Sequence, residues 1–136
     1  MKRRIISIVV VVLLFGLAAR AHHSIAGVYD DSQRQTIEGV VTRVRFVNPH
    51  PSVEMAVTNG SGIAQQWRLE MDNRHELVAI GFTVETLKPG DRVVVTGSPA
   101  RRQAQSLYIR RLDRPSDGFW YEQIGPTPRI RALGLR

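Results

Sequence analysis

Alternation between apolar and polar residues dominates the middle of the chain and predicts β-strands there. Within TIEGVVTRVRFVN (36–48), Val40, Thr42, Val44 and Phe46 alternate with Val41, Arg43 and Arg45 and mark the inward face of a first strand. Ile37 has the opposite parity, so the inward face switches near Gly39. A glycine at such a switch indicates a β-bulge or a sharp bend, and the first strand is therefore predicted to be long and bent.

Two further alternating stretches predict a hairpin. The link 48–51 contains two prolines and interrupts the first strand, because proline cannot donate to a strand ladder. SVEMAVTN (52–59) and IAQQWRLEM (63–71) then alternate on either side of a glycine-rich turn.

The period changes after the hairpin. Asp72 or Asn73 can cap a short helix that ends at Gly81. Segment 87–99 begins with a Lys-Pro-Gly-Asp turn and continues into a buried fourth strand at Val93 to Val95, and segment 106–113 is predicted to form a fifth strand. Three strands, a short helix and two strands are the element order of an OB barrel. We therefore predict a mostly β protein with a five-stranded OB-like barrel. A small open meander with one helix is the alternative.

The predicted barrel covers 36–113, between an N-terminal arm (22–35) and a C-terminal tail (114–136). The tail shows no period and is predicted to be irregular, although Phe119-Trp120-Tyr121 is strongly apolar. Inward parity predicts a core that contains Val44, Phe46, Val53, Met55, Trp67, Leu69, Val93, Val95, Leu107 and Ile109.

The start of the chain has the pattern of a secretory signal peptide (1–21). Basic residues at 2–4 precede the apolar run 5–19, and Ala19-Arg20-Ala21 ends the segment. A membrane-spanning helix would need about 20 apolar residues, and the arginine closes this run too early. We predict cleavage after the second of these alanines, a periplasmic location and no integral membrane segment in the mature chain.

Removal of that segment changes the charge. The full chain has 19 Lys and Arg residues against 12 Asp and Glu residues, a net charge of +7. The predicted signal peptide carries four of the basic residues and none of the acidic ones, which leaves +3 on the mature chain. So small an excess does not require a nucleic-acid partner. Because cysteine is absent, disulfides, thiolate metal sites and a cysteine-linked lipid anchor are excluded.

Cleavage at that point would make His22 the first residue of the mature chain. Its α-amine and ring nitrogen could chelate a metal ion with the adjacent His23, and a nitrogen ligand set suits copper(II). His50 lies between two prolines in the first interstrand link, which borders the ligand site of OB barrels. An arm that returns beside the first strand could bring these histidines together. The alternatives are solvated terminal histidines and a His50 ring that bonds a backbone carbonyl.

Other polar residues have simpler interpretations. His75 is predicted to lie exposed on the short helix. Glu54 and Glu70 are predicted on outward strand faces, either near a metal or solvated and paired with a residue such as Arg68. A basic group near the fourth link could bind an anionic partner or simply aid solubility: Arg101, Arg102, Arg110, Arg111 and Arg114. Because none of the common catalytic motifs is present, no enzymatic activity is expected.

Five segments of the sequence stand out together: His22-His23-Ser24, Gly39-Val40-Val41-Thr42-Arg43-Val44, Asn48-Pro49-His50, Trp67-Arg68-Leu69-Glu70 and Leu87-Lys88-Pro89-Gly90-Asp91. They resemble a family of small exported bacterial proteins that is catalogued only as a domain of unknown function. The likeness covers residues 22–113. It implies an exported domain of Gram-negative bacteria and brings no activity, substrate or cofactor. The chain departs from it at Asp72-Asn73-Arg74-His75 and in its aromatic tail.

Two functions are consistent with these patterns. The first is a periplasmic OB-like binding module that holds copper or another divalent metal through His22, His23 and His50. The second is a metal-free interaction module that binds a protein, a glycan or another envelope component through its barrel face and tail.

Overall fold

Five strands close into a small barrel, and two more strands extend its sheet. The computed structural model describes residues 24–131, whose elements are α1 (Ser24–Val28), β1 (Gln35–Arg45), β2 (Ser52–Thr58), β3 (Ala64–Glu70), α2 (Arg74–Ala79), β4 (Arg92–Pro99), β5 (Ser106–Arg114), β6 (Phe119–Glu122) and β7 (Arg129–Ile130). The strand order is β3-β2-β1-β4-β5-β6-β7, and a parallel pairing of β3 with β5 closes the first five strands. The predicted mostly β, OB-like barrel is confirmed, and the open meander is excluded.

The long first strand bends at a position that differs from the prediction. The register between β1 and β2 shifts between Val41 and Arg43, so the bulge lies at Thr42 and not at Gly39. The predicted faces of two residues are therefore wrong: Val41 is buried and Thr42 is exposed. Gly39 has another role, because a Cβ atom there would collide with the carbonyl oxygen of Ala56. The glycine therefore allows β2 to approach β1 closely.

Alternating apolar side chains fill the barrel interior. Seven of the predicted core residues are completely buried: Val53, Met55, Leu69, Val93, Val95, Leu107 and Ile109. The other three, Val44, Phe46 and Trp67, are half-buried and pack against this cluster. Inward parity was therefore correct for all ten positions, while the depth of burial differed among them.

The segment after Arg114 completes the core. β6 pairs with β5, and β7 pairs with β6. Phe119 and Tyr121 are buried against Phe82, with ring centroids 6.2 and 5.9 Å away. The prediction of an irregular tail is thus corrected for residues 119–130. These strands have four and two residues, and such short strands are too brief to produce a recognisable sequence period.

The arm before β1 packs on the outside of the barrel. α1 is followed by an antiparallel bridge between Tyr29 and Ala100. The backbone N–H of Arg101 donates to the carbonyl oxygen of Val28 at 2.8 Å. The arm is therefore attached to the link between β4 and β5.

The second helix forms as its capping pattern predicts. The side chain of Asn73 accepts a hydrogen bond from the backbone N–H of Glu76 at 2.9 Å, and Leu77 is buried. The helix ends before Gly81, whose φ of 86° favours glycine. Between residues 24 and 131, neither helix has the length and hydrophobicity needed to cross a membrane.

Candidate functional site

A cleft of about 490 Å³ opens on the outer face of the barrel, between the first three strands and the link 100–105. It is lined by Thr42, Arg43, Glu54, Gln66, Trp67, Arg68, Gln103, Ala104 and Gln105. OB barrels commonly bind oligomeric ligands on the face of strands 2 and 3, beside the loop between strands 4 and 5. The cleft therefore lies where this fold usually places a ligand.

Two arginines flank a carboxylate across this cleft. In the strand register Arg43 faces Glu54, and Glu54 faces Arg68, so the three side chains share the outer face. The structure describes all 12 acidic side chains of the chain. None of them lies within 4.0 Å of the Arg43 or Arg68 guanidinium group. Both exposed cations therefore remain available to a ligand.

An unpaired hydrogen-bond donor lies on a residue that lines the same cleft. Nε1 of Trp67 is buried and has no hydrogen-bond partner among the described residues. Leaving such a donor unpaired costs about 1–3 kcal/mol, and buried indole N–H groups usually have a partner. The residue faces Met55 across the strand pair and packs against the core. Trp67 thus contributes to the cleft lining and carries a buried donor that the described residues do not satisfy.

Most of the predicted basic group is engaged within the protein. Its ion pairs are Arg101–Asp30 (3.5 Å), Arg110–Asp31 (2.7 Å), Arg111–Asp113 (2.6 Å) and Arg114–Asp91 (2.7 Å). Arg114 is buried and also donates to the carbonyl oxygen of Thr86 at 2.7 Å. Arg102 is exposed and has no carboxylate within 4.0 Å in the part of the chain described. Four of these five arginines therefore form ion pairs within the protein. They are not a free anion-binding group, and they are not only a solubilising surface.

His50 lies in the link between β1 and β2, at one end of the barrel, and is half-buried. Its Nδ1 atom is 3.2 Å from the carbonyl oxygen of Met71. This is the backbone contact that the sequence left open as an alternative to a metal ligand. Bonding to a carbonyl requires a proton on Nδ1, and in the neutral ring this leaves the lone pair on Nε2. The contact therefore orients the ring without using Nε2.

The N-terminal arm reaches the same end of the barrel. The hydroxyl of Tyr29 donates to Oε2 of Glu70 at 2.7 Å, and its ring packs on Tyr108 with centroids 5.7 Å apart. Burial, followed by the hydrogen bond to the carboxylate, raises the pKa of Tyr29 to about 12. Glu70 precedes Met71, whose carbonyl contacts His50. Glu70 is thus bonded to the arm instead of being paired with Arg68.

The carboxyl group of Asp72, beside this link, has a pKa raised above its usual range. Burial raises the pKa of Asp72 to about 6, and a hydrogen bond with the carboxyl group of Glu76 is the next cause. The positive field of His50 opposes this shift. The backbone N–H of Asn73 donates to Oδ1 of Asp72 at 2.6 Å. The Asp72 carboxyl group therefore lies near the end of the barrel that holds His50.

The predicted metal ligands are only partly visible. His22 and His23 lie outside the described residues. Within residues 24–131, no three His, Asp or Glu side chains form a group arranged to hold a metal ion. His75 is exposed on α2, as predicted.

Sequence reasoning missed several residues of the site. It did not single out Arg43, Gln103, Gln105 or Tyr29. The only available signal for Arg43 was its outward parity on a strand, which many surface residues share. Its position opposite Glu54 depends on the β1–β2 register, which a local pattern does not determine.

Comparison with known proteins identifies a family for this chain but assigns it no activity. A family model described as a family of unknown function, DUF6152, matches residues 10–108. No curated protein matches the chain. The matched segment includes the barrel strands β1–β4 and the cleft-lining part of the link 100–105. The chain therefore belongs to DUF6152, a family of unknown function.

Proposed function

We propose that this protein is an exported binding module that holds an anionic ligand in the outer cleft of its barrel. The row Arg43–Glu54–Arg68 carries the proposal, because both arginines lack a carboxylate partner within the described residues. Export to the periplasm rests on the signal-peptide pattern of residues 1–21, which lie outside the described residues. The activity proposed is binding without catalysis.

The chemistry of the cleft favours a ligand with carboxylate or similar oxyanion groups. A guanidinium group presents several N–H donors in one plane and binds carboxylates in a bidentate manner. The amide side chains of Gln66, Gln103 and Gln105 add both donors and acceptors around the arginines. Glu54, between the two cations, would repel a ligand with negative charge at its centre. A ligand with separated anionic groups fits this row best.

The test uses the 15N-labelled mature protein and two polyanions of different chemistry, poly-L-glutamate and polygalacturonate. At low ionic strength, at least one polymer should shift the NMR signals of the cleft residues, and added salt should weaken the effect. The double variant R43E/R68E should lose this binding. Arg45→Glu is the matched control, because Arg45 is exposed on the same strand and does not line the cleft.

Two outcomes would contradict the proposal. One is a failure of both polymers to shift any cleft residue. The other is binding that survives in R43E/R68E as strongly as in Arg45→Glu. Thermal unfolding of each variant establishes that the barrel is intact before binding is compared.

Copper binding is a second candidate function, and a specific observation favours it. The bond from Tyr29 to Glu70 ties the arm to the residue that precedes Met71, and Met71 contacts the His50 ring. His22 and His23 lie outside the described residues, and they precede α1 directly in the sequence. A metal bound there would use the His22 amine and ring, His23 and Nε2 of His50. Copper titration of proteins with different N-termini tests this candidate.

A further inference from the structure

The edge of β3 is only partly covered. β3 spans Ala64–Glu70, but its parallel pairing with β5 includes only the register positions from Arg68 to Glu70. Beyond Arg68 the chain that faces β3 is the link 100–105, and the cleft opens between this link and the strand. Within the described residues, the first half of β3 therefore has no neighbouring strand on that side.

The direction of the backbone groups along this edge follows from two observed hydrogen bonds. The N–H of Met71 donates towards β2, to the carbonyl oxygen of Pro51 at 2.9 Å. The N–H of Arg68 donates away from β2, to the carbonyl oxygen of Gln105 at 2.9 Å. Successive residues of a strand direct these groups to opposite sides. The N–H and C=O groups of Gln66 and Ala64 therefore face the uncovered edge.

We infer that the ligand of the cleft is an extended acidic segment of another protein, which adds to the edge of β3 as a further strand. Such strand addition obtains its affinity from main-chain hydrogen bonds and its selectivity from alternate side chains. The unpaired groups of Ala64 and Gln66 would supply the hydrogen bonds. Acidic side chains of the added strand would be favoured by two exposed arginines. Arg68 lies on the outer face of β3, and Arg102 lies on the link that borders the cleft. This inference rests on the proposed function and names its ligand class.

The geometry separates strand addition from a polyanion that lies across the face. Neighbouring strands are about 4.8 Å apart, so the backbone of a strand added to β3 would lie about 14 Å from the backbone of β1. Arg68 on β3 is therefore nearer to the added strand than Arg43 on β1. Strand addition predicts a stronger dependence on Arg68 than on Arg43. A ligand that crosses the row would depend on both arginines to a similar degree.

The experiment uses a synthetic peptide of about seven residues that alternates Glu with Val, the usual length of a strand. Two derivatives carry backbone N-methyl groups on alternate amides, one on the odd and one on the even positions. Only one set of amides can face β3, so one derivative should lose at least about tenfold in affinity while the other binds almost normally. A peptide with Lys in place of Glu controls for charge.

Variants of the mature protein complete the test. Gln66→Pro removes an N–H group that faces the open edge and leaves the ladder to β2 in place, so it should abolish peptide binding. Arg68→Glu should weaken binding by about tenfold and Arg43→Glu by clearly less, while Arg45→Glu, outside the cleft, should leave it almost unchanged. Binding is measured by NMR, with the amide signals of residues 64–68 expected to shift.

Three results would overturn the inference. They are equal binding of both N-methylated derivatives, equal dependence on Arg43 and Arg68, and binding of polygalacturonate in preference to the peptide. Each of them would leave the proposed anionic cleft standing with a different ligand. If no probe shifts a cleft residue, the proposed function and this inference both fail.

Discussion

The hydroxyl group of Tyr29 lies 2.7 Å from Oε2 of Glu70, although 41 residues separate them along the chain. This hydrogen bond attaches the N-terminal arm to β3, at the point where β3 pairs with β5 to close the barrel. It also holds Tyr29 at the end of the barrel that carries His50. The arm is therefore a structural part of the domain.

Replacement of Tyr29 by phenylalanine should lower the free energy of unfolding by about 1–2 kcal/mol, because a buried hydroxyl bonded to a carboxylate is lost. The ring contact with Tyr108 would be retained. Urea unfolding monitored by fluorescence measures the change. Glu70→Gln keeps an acceptor oxygen and should cost less. Equal stability of the phenylalanine variant and the natural protein would show that the arm does not depend on this bond.

Asp72→Asn should stabilise the protein at pH 7 and have little effect near pH 4. The pKa of Asp72 is about 6 in the folded chain, against 3.8 for the free side chain. The folded state therefore binds more protons than the unfolded state in this window, and stability falls as the pH rises from about 4 to 6. Because Asp72 is only partly buried, a gain of about 1 kcal/mol is expected.

Urea unfolding of both proteins at several pH values tests this behaviour. The substitution keeps an oxygen that can accept the bond from the Asn73 N–H. A stability difference that does not change between pH 4 and pH 7 would contradict the assignment of the titration to Asp72.

Arg114→Met should lower the free energy of unfolding by about 2 kcal/mol, because it removes a buried guanidinium group and leaves two partly exposed carboxylates without their donor. The guanidinium group bonds Asp91 and Asp117 at 2.7 and 2.8 Å and lies 5.0 Å from the Phe119 ring centroid. Arg129→Met is the matched control. Its ion pair with Glu122 is exposed and should contribute less than about 1 kcal/mol. Similar losses in the two variants would contradict a structural role for Arg114.

Tyr121→Ala should cost about 3–5 kcal/mol, as large aromatic truncations in a core usually do. Trp120, its neighbour on β6, is half-buried and has Arg111 over its ring at 4.6 Å. Trp120→Ala should therefore cost only about 1 kcal/mol. Chemical denaturation measures both variants. If the order of the two losses were reversed, the parity of β6 would be wrong.

Mature protein that begins at His22 should bind copper(II) more tightly than the same protein with one extra N-terminal glycine. The extension removes the free amine from His22 and keeps every imidazole, so it tests the amine chelate itself. His50→Ala should also weaken binding, and affinity should fall below about pH 6 as protons compete for the imidazoles. Calorimetric titration measures each protein. Equal affinities with and without the extension would exclude the chelate.

The barrel was predictable because each strand has a buried face and an outward face. Side chains alternate with a period of two, so Leu69 and Arg68 take opposite faces whatever lies next to them. The helix after β3 could be predicted from Asn73 and Gly81, because caps act within a few residues. The tail could not be recognised, since β6 and β7 are too short to show a period and become strands only by pairing with β5 and with each other.

In the candidate site, too, some features follow from local sequence patterns and others depend on long-range packing. Local patterns in the sequence predict that Arg43, Glu54 and Arg68 face outwards, that the interior is apolar and that His50 lies in a proline-flanked link. The folded barrel places the two arginines on either side of Glu54, leaves part of the β3 edge uncovered and brings Tyr29 to Glu70. Parity is a local property of the backbone. Register, barrel closure and arm docking depend on packing between residues that are distant in the chain.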